Sequence, residues 1–231
     1  MKIHGLQKMT LLDYPGKVAC TVFFGGCDLR CPFCHNAELL DGSAPAVMDE
    51  AELLAFLKKR KGLLDGVAIT GGEPLLQPDL PEFAGRIREL GYPVKIDTNG
   101  THPDRLRRLA EEGLVQYIAM DIKNSPERYA ETSGIPGLDL GPIRESVSLL
   151  MEGTVDYEFR TTAVREFHDD RSFTDIGQWI RGARRYFLQK FTDRDTVPFE
   201  GLHAPTDAQM QAWADLVSAY VPATALRGVD V

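Results

Sequence analysis

Three cysteines lie close together in the stretch CDLRCPFC, at positions 27, 31 and 34. The chain contains only one other cysteine, Cys20. A disulfide framework does not fit this cluster, because an odd thiol would remain unpaired. Clustered thiolates instead bind zinc ions or iron–sulfur clusters. The spacing C-x3-C-x2-C therefore predicts a metal centre, and the open question is which metal.

Zinc and iron make different demands on the fourth ligand. A structural zinc ion needs a closed tetrahedron, which Cys20 or His35 would have to complete. Cys20 lies in the apolar stretch KVACTVFF, where a buried thiol packs as a small hydrophobe. His35 directly follows Cys34, so both side chains can hardly chelate one ion. A [4Fe–4S] cluster takes one thiolate per iron, so three cysteines leave one iron open for a substrate or cofactor. The sequence favours the cluster and leaves zinc as an alternative.

Strand-like and helix-like segments alternate along the rest of the chain. Apolar or β-branched runs predict strands at 17–24, 66–70, 94–98, 115–122, 156–164 and 185–191, with a last short strand at 223–228. Helical periodicity and end signals predict helices at 49–61, 80–90, 103–112, 143–152, 172–181 and 206–220.

Such alternation predicts an α/β fold with a parallel sheet and right-handed crossovers. A closed eight-unit barrel usually needs about 250 residues, and this chain has 231. We therefore expect a partial (β/α)6 barrel in a single domain, residues 1–231. Residues 1–16 would form a lead-in segment, and 205–231 the C-terminal helix and short strand. A doubly wound sheet is the alternative.

Polar and small residues, together with Phe191, lie in the predicted strands or directly after them, toward the ends where barrels place their chemistry. They comprise the three clustered cysteines, Gly71, Gly72, Glu73, Asp97, Asn99, Asp121, Lys123, Arg160, Gln189 and Phe191. Because the carboxyl ends of parallel strands meet at one rim, these residues are predicted to form one site.

At this point the chain resembles a known family. CDLRCPFC resembles the radical S-adenosylmethionine (SAM) signature, with Phe33 as its aromatic residue, and GGEP at 71–74 resembles that family's glycine-rich motif. TLLDYPGKVACTVFFGGCDLRCPFCHN looks like the activating enzymes of glycyl radical enzymes, most of all those of anaerobic ribonucleoside-triphosphate reductase.

The resemblance implies a [4Fe–4S] cluster held by Cys27, Cys31 and Cys34, with SAM on the open iron. One electron, from flavodoxin or ferredoxin, would cleave SAM to methionine and a 5′-deoxyadenosyl radical. That radical would take a hydrogen from a glycine of the partner, an anaerobic ribonucleotide reductase or a pyruvate formate-lyase type enzyme.

The glycine-rich motif and the third strand would contact SAM. Gly71 and Gly72 permit close backbone approach to its methionyl part. Glu73 would accept a hydrogen bond from the SAM ammonium or cap the following helix. Asp97 and Asn99 would bind ribose hydroxyls or a cation, although an ordinary Asn-Gly turn also explains the sequence.

The later strands supply further candidates. The resemblance places Asp121 and Lys123 near the sulfonium and ribose; a surface ion pair is the alternative. Arg160 could grip the SAM carboxylate through two parallel bonds, or be a charge at the sheet edge. Gln189 and Phe191 share one strand face and could meet adenine; Phe191 could equally belong to the core.

Three further residues are weighed as candidates. Phe33 could pack on adenine or shield the cluster, and His35 could support the adjacent ligand Cys34. His168, in the loop after the fifth strand, could face the substrate, but the sequence favours a solvated loop histidine.

Other classes of function remain to be weighed. A radical SAM enzyme of the 7-carboxy-7-deazaguanine synthase type, acting on a small molecule, would need a more elaborate pocket than the sequence indicates. A zinc-stabilised binding protein is the non-enzymatic alternative. The formal charge of −8 argues against nucleic-acid binding. With no apolar signal segment and no stretch near 18 apolar residues, neither secretion nor membrane insertion is expected, and a reducing cytoplasm fits best.

Overall fold

The strands of the main sheet lie side by side in the order of the sequence. The computed structural model describes residues 1–229. Its strands are β1 (Lys2–Ile3), β2 (Gly5–Thr10), β3 (Ala19–Phe24), β4 (Met48–Asp49), β5 (Gly66–Gly71), β6 (Val94–Thr98), β7 (Tyr117–Asp121), β8 (Asp156–Ala163), β9 (Tyr186–Lys190) and β10 (Thr224–Arg227). The main sheet has the order β10-β9-β8-β7-β6-β5-β3-β2, and all pairs except β2–β3 are parallel.

This order settles the choice between the two predicted architectures. A doubly wound sheet reverses its strand order at a switch point, whereas here each parallel strand pairs with the next one along the chain. Among residues 1–229, β2 and β10 each pair on one side only, so the sheet does not close. The predicted single-domain α/β fold, a partial barrel of parallel strands, is confirmed. The short strand predicted at 223–228 is β10, which extends the barrel beyond β9.

The helices cover one face of this sheet. They are α1 (Glu50–Lys59), α2 (Leu80–Glu89), α3 (Pro103–Glu111), α4 (Tyr129–Ser133), α5 (Gly141–Met151), α6 (Asp170–Trp179) and α7 (Asp207–Ser218), with short 3-10 turns at Ala37–Leu39 and Pro74–Leu76. Thr206 is the N-cap of α7 and forms a capping box with Gln209. The sequence did not predict α4, which is shorter than two turns. No helix among residues 1–229 combines the length and the apolar character that crossing a bilayer requires.

The residues predicted only as a lead-in contribute to the sheet. β2 pairs antiparallel with β3, from Gly5 opposite Phe23 to Thr10 opposite Ala19, with a register shift in between. β1 pairs with β4 in a separate two-stranded sheet. The stretch GLQKMT is exposed over three central residues and lacks an alternating apolar pattern, so its sequence gave no strand signal.

Successive side chains along each strand point to opposite faces of the sheet, so one face is apolar and the other polar. One set of side chains packs under the helices and includes Cys20, Val22 and Phe24, all fully buried. The prediction that Cys20 is a buried small hydrophobe is confirmed. The opposite set lies on the inner face of the barrel and includes charged groups such as Lys95 and Glu158, both buried. The inner face is therefore polar, unlike the apolar interior of a closed barrel.

Candidate functional site

The loop that follows β3, residues 25–36, carries the three clustered cysteines and is called the cysteine loop below. Its backbone is held from two sides. Gly26 and Cys27 donate their N–H groups to the carbonyls of Leu39 (2.7 Å) and Leu40 (3.0 Å), and Arg30 donates to the Ser133 carbonyl (2.8 Å). These bonds fix a segment that contains no regular secondary structure.

Gly71 and Gly72 allow the end of β5 to lie directly against the cysteine loop. A Cβ on Gly72 would lie 2.0 Å from the Gly26 oxygen, and one on Gly71 would lie 2.2 Å from the Phe24 oxygen. Gly71 also has φ +122°, which side chains strongly disfavour. The Gly72 N–H donates to the Phe24 carbonyl (2.9 Å), and the Asn36 amide donates to the Gly71 carbonyl (3.1 Å). The close approach expected toward a ligand is thus made, in this structure, toward the cysteine loop.

Glu73 is fully buried and joins the glycine-rich motif to the end of β6. Its carboxylate accepts from the Leu75 N–H (2.9 Å), the Thr98 hydroxyl (3.0 Å) and the Asn99 N–H (2.7 Å). Burial raises the pKa of the Glu73 carboxyl to about 7, although these donors oppose the shift. Glu73 therefore caps the 3-10 turn that follows it, one of its two expected roles, while the contact with the SAM ammonium stays a prediction.

The Asn99 side chain hydrogen-bonds to a residue of the cysteine loop. Its amide donates to the Asp28 carboxylate (2.8 Å), which also accepts from the Thr101 hydroxyl (2.6 Å) and lies 3.1 Å from His102 Nε2. Burial alone would raise the pKa of the Asp28 carboxyl, but His102, Thr101 and Asn99 outweigh it and hold that pKa at about 2. Sequence reasoning missed Asp28, Thr101 and His102, since no local pattern reveals partners more than 70 residues apart.

Five charged residues form a continuous ladder across the inner face at the rim, called the rim ladder below. Lys95 contacts Asp97, and Arg160 lies 3.4 Å from Asp97 and 3.0 Å from Asp121. Lys123 completes the ladder at 2.9 Å from Asp121. Three cations against two carboxylates leave one formal positive charge in excess. Lys95 was missed by the sequence analysis, although the period of two along VKIDT places it on the same face as Asp97.

The rim ladder lies within electrostatic reach of the thiols. Burial raises the pKa of the Cys31 thiol to about 11, and the nearby Lys123 ammonium partly offsets this effect. Burial also raises the pKa of the Asp121 carboxyl, but Arg160 and Lys123 outweigh it and hold that pKa at about 2. Asp121, Lys123 and Arg160 are therefore brought together beside the cysteine loop, as their position at the strand ends predicted.

The three clustered thiols share one apolar lining. Cys27, Cys31 and Cys34 all belong to a hydrophobic cluster whose buried members include Leu29, Phe33, Val164, Phe191 and Leu202. Burial raises the pKa of the Cys27 thiol to about 12, so without a bound metal these thiols would stay protonated. Bound iron would supply the positive charge that thiolate formation requires.

The arrangement of these side chains fits a cluster better than a zinc ion. Among residues 1–229, no three His, Cys, Asp or Glu side chains converge closely enough to hold a single metal ion. A cube that takes one thiolate at each of three irons does not require such convergence. With three thiols, a dry lining and neighbouring cations, the residues present suit a [4Fe–4S] cluster with one open iron.

The remaining aromatic candidates lie around the cysteine loop. The His35 ring stacks on Phe191 at 5.6 Å between ring centres, with its Nε2 2.7 Å from the Thr192 carbonyl. Phe191 is 1% exposed and packs in the apolar lining, the core role expected as one of its alternatives. Phe33 is buried against Phe167, at 5.9 Å between ring centres. Gln189, two residues before Phe191, is partly exposed.

The expectation that His168 is a solvated loop histidine is wrong. Its side chain is buried and hydrogen-bonds to the backbone of Lys123 and Val164. The polar residues around it in EFHDDR gave the wrong indication, because the loop folds inward at the end of β8.

Comparisons with known proteins agree with this geometry. The family model described as the radical SAM superfamily matches residues 21–171. A protein of Methanocaldococcus jannaschii with the name "Putative glycyl-radical enzyme activating enzyme" is 30% identical over 236 aligned residues, which cover 99% of this chain and 96% of the relative.

Other relatives match over shorter stretches. The pyruvate formate-lyase-activating enzyme of Clostridium pasteurianum is 38% identical over 128 residues, 53% of this chain and 52% of the relative. The 7-carboxy-7-deazaguanine synthase of Thermococcus kodakarensis is 32% identical over 152 residues, 57% of this chain and 58% of the relative. This chain thus aligns with only about half of each of these two proteins.

A solved structure shares the fold. The crystal structure of a domain of pyruvate-formate lyase-activating enzyme from Bacteroides vulgatus superimposes with a TM-score of 0.57 and 18% identity, covering 71% of this chain and 99% of that domain. The cysteine loop lies within the matched family region, and the partial barrel is that of the solved domain. The chain therefore belongs to the radical SAM superfamily, whose enzymes use a [4Fe–4S] cluster and S-adenosylmethionine.

Proposed function

We propose that this chain is an activating enzyme for a glycyl radical enzyme. The observation that carries the proposal is the three-thiol loop, which is packed against the Gly71–Gly72 turn and faces the rim ladder at the mouth of an open barrel. The match to the Methanocaldococcus relative over 96% of that protein supports the same function.

The chain's own residues would divide the task. Cys27, Cys31 and Cys34 would hold the cluster, and the apolar lining would exclude water from it. The excess positive charge of the rim ladder suits a ligand that carries a carboxylate, with Lys123 and Arg160 as the nearest cations. Asp121 and Asp97 would keep those cations in place and complement a cationic sulfonium. When bound, the cluster and SAM supply a one-electron cleavage that yields a radical able to remove a hydrogen atom.

The shape of the barrel favours a protein substrate over a small molecule. Among residues 1–229, the edges of the sheet at β2 and β10 do not pair with each other, so the barrel is not closed on that side. A loop of a partner protein would approach the rim ladder from this unclosed side. We propose an anaerobic ribonucleotide reductase as the partner, with a pyruvate formate-lyase type enzyme as the other candidate, and flavodoxin or ferredoxin as the electron donor in a reducing cytoplasm.

A second function has a specific observation in its favour. The similarity to 7-carboxy-7-deazaguanine synthase, at 32% identity, supports a radical SAM enzyme that acts on a small molecule. That match covers 58% of the synthase, whereas the match to the Methanocaldococcus relative covers 96% of that protein. We therefore rank activation of a partner enzyme first.

One experiment separates these functions. The protein, reconstituted anaerobically with iron and sulfide, is reduced and incubated with SAM and either candidate partner enzyme. We expect a glycyl-radical doublet in the electron paramagnetic resonance spectrum with one partner, and none with a Cys31→Ala variant. Formation of 5′-deoxyadenosine without a doublet from either partner would favour the small-molecule function. Absence of 5′-deoxyadenosine under strong reductant would overturn both.

A further inference from the structure

The backbone at the end of β7 and just beyond it is held by side chains from later parts of the chain. Three consecutive carbonyls accept hydrogen bonds from such donors: Asp121 from the Tyr129 hydroxyl (3.4 Å), Ile122 from the Thr161 hydroxyl (2.7 Å) and Lys123 from His168 Nε2 (2.9 Å). The last of these bonds fixes the residue whose ammonium ends the rim ladder. His168 is 45 residues away in the sequence.

The His168 ring is held in one tautomer. A carbonyl oxygen can only accept, so Nε2 must carry the proton that it donates to Lys123. Nδ1 is then bare and accepts from the Val164 N–H (3.1 Å), since the Val164 carbonyl already accepts the backbone N–H groups of Phe167 and His168. Burial lowers the pKa of His168, which agrees with a neutral ring. The ring also stacks on Phe173, at 5.5 Å between ring centres.

We propose that His168 is a positioning residue that ties the Lys123 backbone to Val164, so that the Lys123 ammonium and the wall of the cysteine site keep a fixed spacing. Val164 belongs to the apolar lining shared by the three thiols. The proposal rests on the proposed function only for the role of Lys123 toward SAM.

A second link connects the same two segments. The Asn124 amide donates to the Phe167 carbonyl (2.9 Å), and the Phe167 ring packs on Phe33 in the cysteine loop. Packing alone would not require a histidine at 168, because a phenylalanine could also stack on Phe173. What only the imidazole supplies is one acceptor for Val164 and one donor for Lys123, at opposite edges of a rigid ring.

The test compares two substitutions with a matched control in the reconstituted protein. His168→Phe keeps an aromatic ring but removes both hydrogen bonds, whereas His168→Gln keeps an N–H donor within reach of the Lys123 carbonyl. His203→Asn is the control, because His203 is an exposed histidine that pairs with Glu166. We measure hydrogen–deuterium exchange of the peptide that spans 121–125, and the KM for SAM and kcat in 5′-deoxyadenosine formation.

We expect His168→Phe to raise exchange in 121–125 at least tenfold and to raise the KM for SAM about tenfold at unchanged iron content. His168→Gln should restore part of both, because it keeps the bond to Lys123 but loses the bond to Val164, and His203→Asn should change neither. Unchanged exchange in His168→Phe would overturn the proposal. Raised exchange with an unchanged KM would support the role of His168 and overturn the role of Lys123 toward SAM.

A measurement on the unmodified protein keeps the proposal testable if His168→Phe does not fold. Nitrogen-15 chemical shifts of the imidazole should show a protonated Nε2 and an unprotonated Nδ1 for His168. The opposite tautomer, or a ring that exchanges between both, would overturn the proposal because the Lys123 carbonyl would then lack its donor.

Discussion

Replacement of Gly72 by alanine should disable the site without unfolding the protein. The added Cβ would lie 2.0 Å from the Gly26 oxygen and 3.3 Å from the Cys27 Cβ, whereas ordinary contacts begin at 3.4 Å. The cysteine loop must therefore retreat by about 1.4 Å, which breaks the Glu73 N–H bond to Gly26 (2.8 Å). Overpacking of this kind costs about 1–3 kcal/mol of stability, and a misplacement of about 1 Å lowers a rate by about 100-fold.

The assay is the anaerobic rate of 5′-deoxyadenosine formation per bound iron, measured beside a thermal melt. Gly85→Ala is the matched control: in α2 its Cβ would meet only Leu114 Cδ2 at 3.8 Å, and alanine raises helix propensity by about 1 kcal/mol. We expect Gly72→Ala to lose at least 100-fold in rate and Gly85→Ala to match the unmodified protein. If the rate of the Gly72→Ala protein lies within threefold of the unmodified rate, the site does not require close contact between the cysteine loop and Gly72, and the reasoning is refuted.

Three further predictions follow from buried groups elsewhere in the site and the barrel. Cys31→Ala should reduce the iron content from about four per chain to nearly none, whereas Cys20→Ala should keep its iron and lose about 1 kcal/mol of stability; loss of iron in Cys20→Ala would show that the ligands are misassigned. Arg227→Met should cost about 3 kcal/mol in urea unfolding, because it strips the buried Glu158 carboxylate of bonds at 2.7 and 2.9 Å; an unchanged midpoint would contradict this. Glu73 has a pKa raised to about 7 in the folded state, so it binds a proton more tightly there than when unfolded, and its contribution to stability is lost as pH rises from about 5 to 8. The free energy of unfolding of the unmodified protein, relative to that of Glu73→Gln, should therefore fall by about 2–3 kcal/mol over that range. A pH-independent difference would show that Glu73 is ionised throughout.

Local patterns predicted the regular part of the fold well. The predicted strand at 94–98 and helix at 103–112 are observed within one residue as β6 and α3, because apolar periodicity is a property of neighbouring residues. β2 was missed because an edge strand with exposed side chains needs no alternation of apolar and polar residues, which is the signal that predicts a strand. The failures are therefore found where the environment, and not the residue itself, determines the conformation.

The same distinction between local and long-range determinants applies to the residues of the site. The sequence indicated Gly71, Asp121 and Lys123, since each lies at or just after the end of a recognisable strand. It gave no sign that Asp28 meets Asn99 and His102, or that His168 is buried under Lys123. Those contacts join segments 45 to 74 residues apart, and only the packing of the chain determines them.

The type and spacing of the metal ligands could be recognised in the sequence alone: three thiols at a fixed spacing, and polar groups at the ends of parallel strands. How these groups are held depends on the folded chain. In the folded chain, Gly71 and Gly72 lie against the cysteine loop, five charged side chains form the rim ladder, and His168 is buried next to the Lys123 backbone. The physical reason is that ligand type and spacing are local properties, whereas burial and charge pairing depend on which distant segments exclude water together.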